Sequence, residues 1–162
     1  MGVGADSLVT AVPSALVFEQ MVAADLPQVM EIERLVFDAP WTPGLFLHEL
    51  KLSFSRLHLA RTGAGDRRVL GYVCWWLVGD EVHILNLAVH PDVRRGGTGR
   101  ALVQRVLDDA RAHQAGSVSL DVRHDNRAAL ALYTAMGFSA AGVRRNYYGA
   151  GVDAVIMERR FG

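Results

Sequence analysis

The stretch EVHILNLAVHPDVRRGGTGRALVQRVLDDARAH, residues Glu81–His113, decides the fold. Its first nine residues are mostly aliphatic and stop at His90-Pro91-Asp92, which predicts a strand over Glu81–Val89 closed by a turn. From about Thr98 to His113, Leu102, Val103, Val106, Leu107 and Ala110 recur at the spacing that lines one face of a helix. Between strand and helix stand Arg94-Arg95-Gly96-Gly97-Thr98-Gly99-Arg100. Glycines let backbone amides approach a ligand closely, and the start of the following helix adds its positive dipole end. With three arginines beside it, this is a phosphate-binding design. It is not a P-loop, because no Gly-Lys-Ser/Thr follows. Nor is it a dinucleotide fingerprint, since Leu102 stands where the third glycine belongs. Alone, it also reads as a glycine-rich turn with solvated arginines.

Outward from this unit the pattern keeps alternating. Strands are predicted at Leu16–Val22, Leu57–Arg61 and Val69–Val78, the last two split by the turn Gly63-Ala64-Gly65-Asp66. Asp25 is expected to cap a helix in which Val29, Ile32, Glu33 and Val36 keep the rhythm. Pro40 and Pro43 interrupt it, and a second helix is expected over Gly44–Leu52. In Ser117–Arg123, Val118, Leu120 and Val122 take one face and Ser119, Asp121 and Arg123 the other. A helix over Asn126–Met136 stops at Gly137. Two closing strands, Phe138–Arg145 and Asp153–Arg159, flank a loop carrying Tyr147, Tyr148, Gly149 and Gly151. The sum is an α/β (α+β) domain with a mixed sheet.

Composition narrows the function. At 162 residues with 51% hydrophobic and 21% charged content, the chain is one globular domain's worth. No apolar run approaches the ~18 residues of a spanning helix, so no membrane partner is expected. Seventeen basic and seventeen acidic side chains cancel, which removes any general pull toward nucleic acid. Cys74 is the single cysteine, so an internal disulfide is impossible, and its apolar surroundings predict a buried structural thiol. His48, His58, His90, His113 and His124 show no ligand spacing, and no metal is expected. Residues 1–15, MGVGADSLVTAVPSA, lack a basic n-region and carry Asp6 where a myristoylation motif needs Ser or Thr. They are read as a flexible extension before a single domain over 16–162, in a cytoplasmic protein.

Two blocks carry a resemblance. Arg94-x-x-Gly97-x-Gly99 after Leu87-Ala88-Val89, and Asn126-Arg127-Ala128-Ala129-Leu130-Ala131-Leu132-Tyr133 followed by Gly137-Phe138, resemble in order and spacing the two signature motifs of the GNAT N-acetyltransferases. Ala39-Pro40-Trp41, Leu120-Asp121-Val122-Arg123 and Arg144-Arg145-Asn146-Tyr147-Tyr148 are similar to the RimI-type members, which acetylate the N-terminal alanine of a small-subunit ribosomal protein. The likeness covers roughly residues 17–160.

The resemblance implies a mostly antiparallel sheet of six or seven strands with about four helices, acetyl-CoA as donor, and a protein N-terminus as acceptor. It implies that the backbone of Leu87, Ala88 and Val89 pairs with the pantetheine arm. Arg94 and the amides of Arg95, Gly96, Gly97, Thr98, Gly99 and Arg100 would hold the pyrophosphate, and Asn126 would hold the cofactor near its pantetheine. Tyr133 would be the general acid, although helix spacing alone makes it a packing residue. Pro40 and Trp41 on one side, Tyr147 and Tyr148 on the other, would wall the acceptor slot. Similar enzymes carry Glu where this chain has Asp121, one methylene shorter. Asp121 is expected to act as base through a water, with Glu81 and His83 as alternates. Read from the strand alone, Asp121 is a solvated carboxylate or a partner of Arg123. A small amine or antibiotic as acceptor, and a catalytically weak acyl-CoA-binding module, are the competing readings. Oligomeric state is not legible.

Overall fold

Alternating apolar and polar residues make strands here, and apolar residues three and four apart make helices. The computed structural model describes residues 16–63, 65, 67–94 and 96–162. Its strands are β1 (Leu16–Gln20), β2 (Ser55–Thr62), β3 (Val69–Val78), β4 (Glu81–Val89), β5 (Ser117–Arg123), β6 (Ser139–Gly149) and β7 (Val152–Arg160). Its helices are α1 (Leu26–Val36), α2 (Pro43–Lys51), α3 (Thr98–Ala112) and α4 (Arg127–Ala135). Among the described residues the seven strands form one sheet in the order β1-β2-β3-β4-β5-β7-β6. It is mixed: β4 and β5 run parallel, while β1 with β2, β5 with β7 and β6 with β7 are antiparallel. The expected extension lies outside the described residues, as do Ala64 and Asp66 of the turn between β2 and β3.

One compact unit is the chain through Cys74 together with Asn86–Val103. Val29 and Ile32 of α1, Phe46 of α2, Leu59 of β2, Tyr72 of β3 and Leu102 of α3 are fully buried in its core. Phe46 packs its ring 5.1 Å from Trp41 and edge-on to Tyr72 at 5.5 Å. Gly71 has a specific job in this unit. A Cβ there would lie 2.8 Å from the Ala88 carbonyl oxygen and 3.1 Å from Leu102, so only glycine lets β3, β4 and the start of α3 close up. Cys74 is fully buried, and burial pushes its thiol up to about 12, which makes it the inert packing residue its context predicts.

The other unit is Trp75–Leu85 with Gln104–Gly162. Val106, Leu107 and Ala110 of α3 are fully buried in it, and each large aliphatic side chain of that stripe contributes about 1.5–3 kcal/mol. Val118, Leu120 and Val122 of β5 are buried as alternation requires, while Ser119 and Asp121 are half-buried on the other face. The buried Trp75 indole donates to Asp109 Oδ2 at 3.1 Å.

Two local expectations change. Asp25 precedes α1 but makes no capping bond; its carboxylate accepts from the Val22 amide at 2.8 Å and pairs with the buried Arg61. A buried guanidinium needs a counter-charge more than a helix end needs one extra acceptor. And Tyr147 and Tyr148 are not in a loop: β6 runs through them to Gly149. Aromatic side chains favour extended backbone, and the irregularity falls instead at Asn146, with φ +56°. Its amide donates to Asp153 Oδ1 at 2.9 Å, and its own Oδ1 accepts from Gly151 at 2.8 Å.

Candidate active site

The glycine turn sits where the sequence puts it. Ala88 is buried, Leu87 and Val89 are half-buried, and the His90 amide donates to the Leu70 carbonyl at 2.7 Å, ending β4 cleanly. Gly97 has φ +87°, and a Cβ built there would meet nothing within 4 Å. The space over this peptide is therefore open, and the backbone conformation is one that side chains resist. The first α3 bond is the Ala101 amide to the Gly97 carbonyl, at 2.9 Å. The amides of Thr98, Gly99 and Arg100 precede it and have no backbone acceptor among the described residues. Arg94 and Arg100 are exposed beside them, and Thr98 is buried; Arg95 lies outside the described residues. Open space, unpaired amides and two cations suit a pyrophosphate. Gly97→Val is expected to weaken acetyl-CoA binding about tenfold, because a β-branched residue must leave φ +87° and turn those amides aside. Calorimetry on the folded variant checks this; unchanged affinity would move the phosphate site elsewhere.

In the same unit, Pro40 is exposed and Trp41 half-buried in the segment between α1 and α2. Thr42 caps α2 through its Oγ1, which accepts from Leu45 at 3.2 Å, so the turn is anchored at the helix it feeds.

In the second unit, β4 and β5 build an open cleft of about 410 Å³. Glu81 and His83, two apart on β4, share a face with Ser119 and Asp121 on β5, and the register pairs His83 with Ser119. Trp76, Val78 and Ile156 supply apolar wall and Arg144 a cation. Asp121, its side chain only 10% exposed, accepts from Arg144 Nε at 3.1 Å through Oδ1, and its Oδ2 lies 3.9 Å from His83 Nε2. That separation is too long for a direct hydrogen bond. The His83 Nδ1 is 3.1 Å from Ser119 Oγ. Burial holds the His83 imidazole below its ordinary value, with the Asp121 charge opposing and Arg144 assisting, so His83 is neutral at neutral pH. Arg123 pairs with Asp125 at 2.8 Å, so the ion pair of Asp121 is with Arg144 instead. The Tyr148 hydroxyl donates to the Asp121 carbonyl at 3.3 Å, and Tyr147 stacks edge-on to Tyr148 at 5.0 Å. The structure thus brings Asp121, His83, Glu81 and Tyr148 together. Arg144, Ser119 and Trp76 are lining residues that sequence reasoning did not single out for the cleft, although Arg144 stood in a block similar to RimI-type enzymes and Ser119 on the polar face of its strand.

On α4, Tyr133 is 5% exposed and packs edge-on to Phe138 at 5.4 Å. Its hydroxyl has no hydrogen-bond partner among the described residues, and burial pushes it above the usual tyrosine range. A buried orphan hydroxyl is uncommon and fits a group waiting for a ligand. Asn126 begins the same helix, its Oδ1 accepting from Ala129 at 3.1 Å, which leaves its amide donors for a cofactor. Among the described residues no cluster of three or more His, Cys, Asp or Glu side chains could hold a metal. No helix among them is long and apolar enough to cross a membrane.

The parallel register of β4 with β5 covers Glu81–Ile84 only, and β4 runs five residues further, to Val89. Comparison with known proteins identifies the family. The sequence profile of the acetyltransferase (GNAT) family matches residues 26–138. The chain is 34% identical over 136 residues to the [ribosomal protein bS18]-alanine N-acetyltransferase of Escherichia coli, covering 82% of this chain and 89% of that protein. It is 38% identical over 146 residues to the N-alpha-acetyltransferase RimI of Mycobacterium tuberculosis, covering 86% and 89%. The crystal structure of the Escherichia coli ribosomal-protein-S18-alanine N-acetyltransferase superposes with a TM-score of 0.81 at 30% identity, over 90% of this chain and 93% of that one. The chain therefore belongs to the acetyltransferase (GNAT) family and is an acetyl-CoA-dependent N-acetyltransferase.

Proposed function

We propose that the acceptor is the N-terminal α-amine of a protein, and that its first candidate is the terminal alanine of the small-subunit ribosomal protein bS18. The observation that carries this reading is the 34–38% identity, over more than four-fifths of the chain, to enzymes named for N-terminal acetylation. The aromatic residues support it: Tyr147 and Tyr148 are exposed on an edge strand, with hydroxyls suited to a peptide backbone. Pro40 and Trp41 are assigned to the acceptor peptide by the resemblance to RimI-type enzymes.

Acetyl-CoA supplies an activated acyl group as a thioester. The residues proposed to hold it are Arg94 to Arg100 for the pyrophosphate, the Leu87–Val89 backbone for the pantetheine arm, and the Asn126 amide. On the acceptor side, Asp121 Oδ2 takes the proton of the incoming ammonium through a water, leaving a neutral amine as the nucleophile. Tyr133 Oη donates its hydrogen to the departing sulfur, and the second proton lost by the attacking nitrogen returns to the phenolate, so the products are the amide, the free CoA thiol and one proton on Asp121. No residue of the chain forms a covalent bond in this scheme.

Turnover with acetyl-CoA and an alanine-initiated peptide, compared with polyamine and aminoglycoside acceptors, tests the assignment. The peptide is expected to be preferred by at least about tenfold in kcat/KM. Preference for the small amines would overturn the protein-acceptor reading, and acetyl-CoA binding without turnover on any of them would leave an acyl-CoA-binding module.

A further inference from the structure

Sequence rhythm places Glu33 on the apolar stripe of α1, and the structure buries it, 1% exposed, between three elements. A carboxylate in that position is costly to desolvate unless every lone pair it turns inward is met. Glu33 meets this demand. Its Oε2 accepts the Trp41 backbone amide at 2.7 Å. Its Oε1 accepts the Tyr72 hydroxyl and, at 3.1 Å, the Asn86 side-chain amide. Asn86 also donates to the Tyr72 hydroxyl at 3.2 Å, closing the network. The three donors come from the segment after α1, from β3 and from β4. Asn86 immediately precedes Leu87-Ala88-Val89, and Trp41 follows Pro40.

We propose that Glu33 is a positioning residue for acetyl transfer: it locks the Pro40–Trp41 wall of the acceptor slot to β4 at the residue preceding the pantetheine-binding backbone. The inference rests on the acceptor reading above, in which Pro40 and Trp41 contact the peptide. A leucine would fill the same volume with no charge to desolvate. What the carboxylate adds is direction, because two oxygens fix donors from three elements at hydrogen-bond distance. The backbone amide of Trp41 is the decisive member. A side-chain partner can swing away with its rotamer, but an amide carries the whole turn with it. Held this way, the wall and the strand move as one piece, and reacting groups keep the sub-ångström placement that transfer requires.

The test uses Glu33→Gln, which keeps the volume but turns one acceptor into a donor, with Tyr72→Phe as a milder second variant that removes one arm. Three quantities are read on folded protein: hydrogen exchange of the Trp41 amide by NMR, KM for an alanine-initiated peptide, and acetyl-CoA affinity by calorimetry. In Glu33→Gln, Trp41 exchange and peptide KM are both expected to rise about tenfold, with acetyl-CoA affinity held within twofold. Tyr72→Phe is expected to move the same two quantities in the same direction by less. Unchanged Trp41 exchange in both variants would refute the lock. Faster exchange with unchanged peptide KM, or loss of peptide and acetyl-CoA affinity in parallel, would reduce Glu33 to a general structural role. If the wild type itself turns over no N-terminal peptide, the acceptor reading fails and takes this inference with it, a failure visible before any variant is made.

Discussion

Removing one oxygen from Tyr133 is expected to slow acetyl transfer by about 10²–10⁴-fold while leaving acetyl-CoA bound nearly as well. The asymmetry follows from when the hydroxyl acts. The departing sulfur gains charge only as the thioester breaks, so a donor aimed at it stabilises the transition state and contributes little to the ground state. Burial holds the Tyr133 hydroxyl above the usual tyrosine range, so it stays protonated throughout the working pH range. The pH–rate profile of Tyr133→Phe should therefore run parallel to the wild type, lowered by a constant factor. Stability should move the other way. A buried hydroxyl without a partner costs about 1–3 kcal/mol, and no described residue satisfies this one, so the variant should melt no lower than the wild type. Wild-type turnover in Tyr133→Phe would remove the residue from the mechanism, whereas a large drop in melting temperature would show that the hydroxyl is bonded within the protein.

The second large effect is expected at Asp121, and its signature is pH dependence. A peptide amine has a reference pKa of about 7.7–8.0, so below pH 7 nearly all acceptor arrives as ammonium and must lose a proton before attacking. Asp121→Asn should then cut the rate about 10²-fold near pH 6.5 and progressively less above pH 8, where the amine is already neutral. The structure adds a rival. His83 lies 3.9 Å from Asp121, is held neutral by burial, and is itself a competent proton acceptor. The Asp121 charge raises the His83 value, so in Asp121→Asn the imidazole falls further and remains neutral at still lower pH. If His83 were the base, its loss in His83→Gln would reproduce the acid-side defect and Asp121→Asn would not. Profiles of both variants, with Glu81→Gln as a third, separate these cases. Asp121→Glu should retain or gain activity, since it restores the missing methylene. A wild-type profile in Asp121→Asn beside a collapsed His83→Gln would transfer the role to β4.

Local chemistry made much of this molecule legible without coordinates. Alternation in Ser117–Arg123 set which residues of β5 face the core, and the stripe from Leu102 to Ala110 set the face of α3, because the strand period of two and the helix period of 3.6 are properties of a few neighbouring residues. The glycine turn before α3 belongs to the same class, although the positive φ at Gly97 is known only from the structure. Alternation also placed Asp121 on the polar face of its strand, while the roles given to Asp121, Tyr133 and Asn126 came from the family resemblance.

What the tertiary structure decided is who partners whom. Strand spacing offered Arg123 as the counter-ion of Asp121; the sheet order β5-β7-β6 supplies Arg144 instead, 23 residues away. Glu33 sits in the helical rhythm like any core residue, and only the packed fold shows that Tyr72 and Asn86, 39 and 53 residues on, converge on its carboxylate. Tyr147 and Tyr148 read as a loop beside glycines, yet β6 runs through them to Gly149, and its register against β7 breaks between Arg144 and Gly149, where Asn146 takes a positive φ. The physical reason is common to all three. Periodicity is fixed by backbone geometry over a few bonds, whereas a hydrogen bond or ion pair between distant residues exists only once strand order has brought them within 3 Å, and many sequences with the same local pattern could order their strands differently.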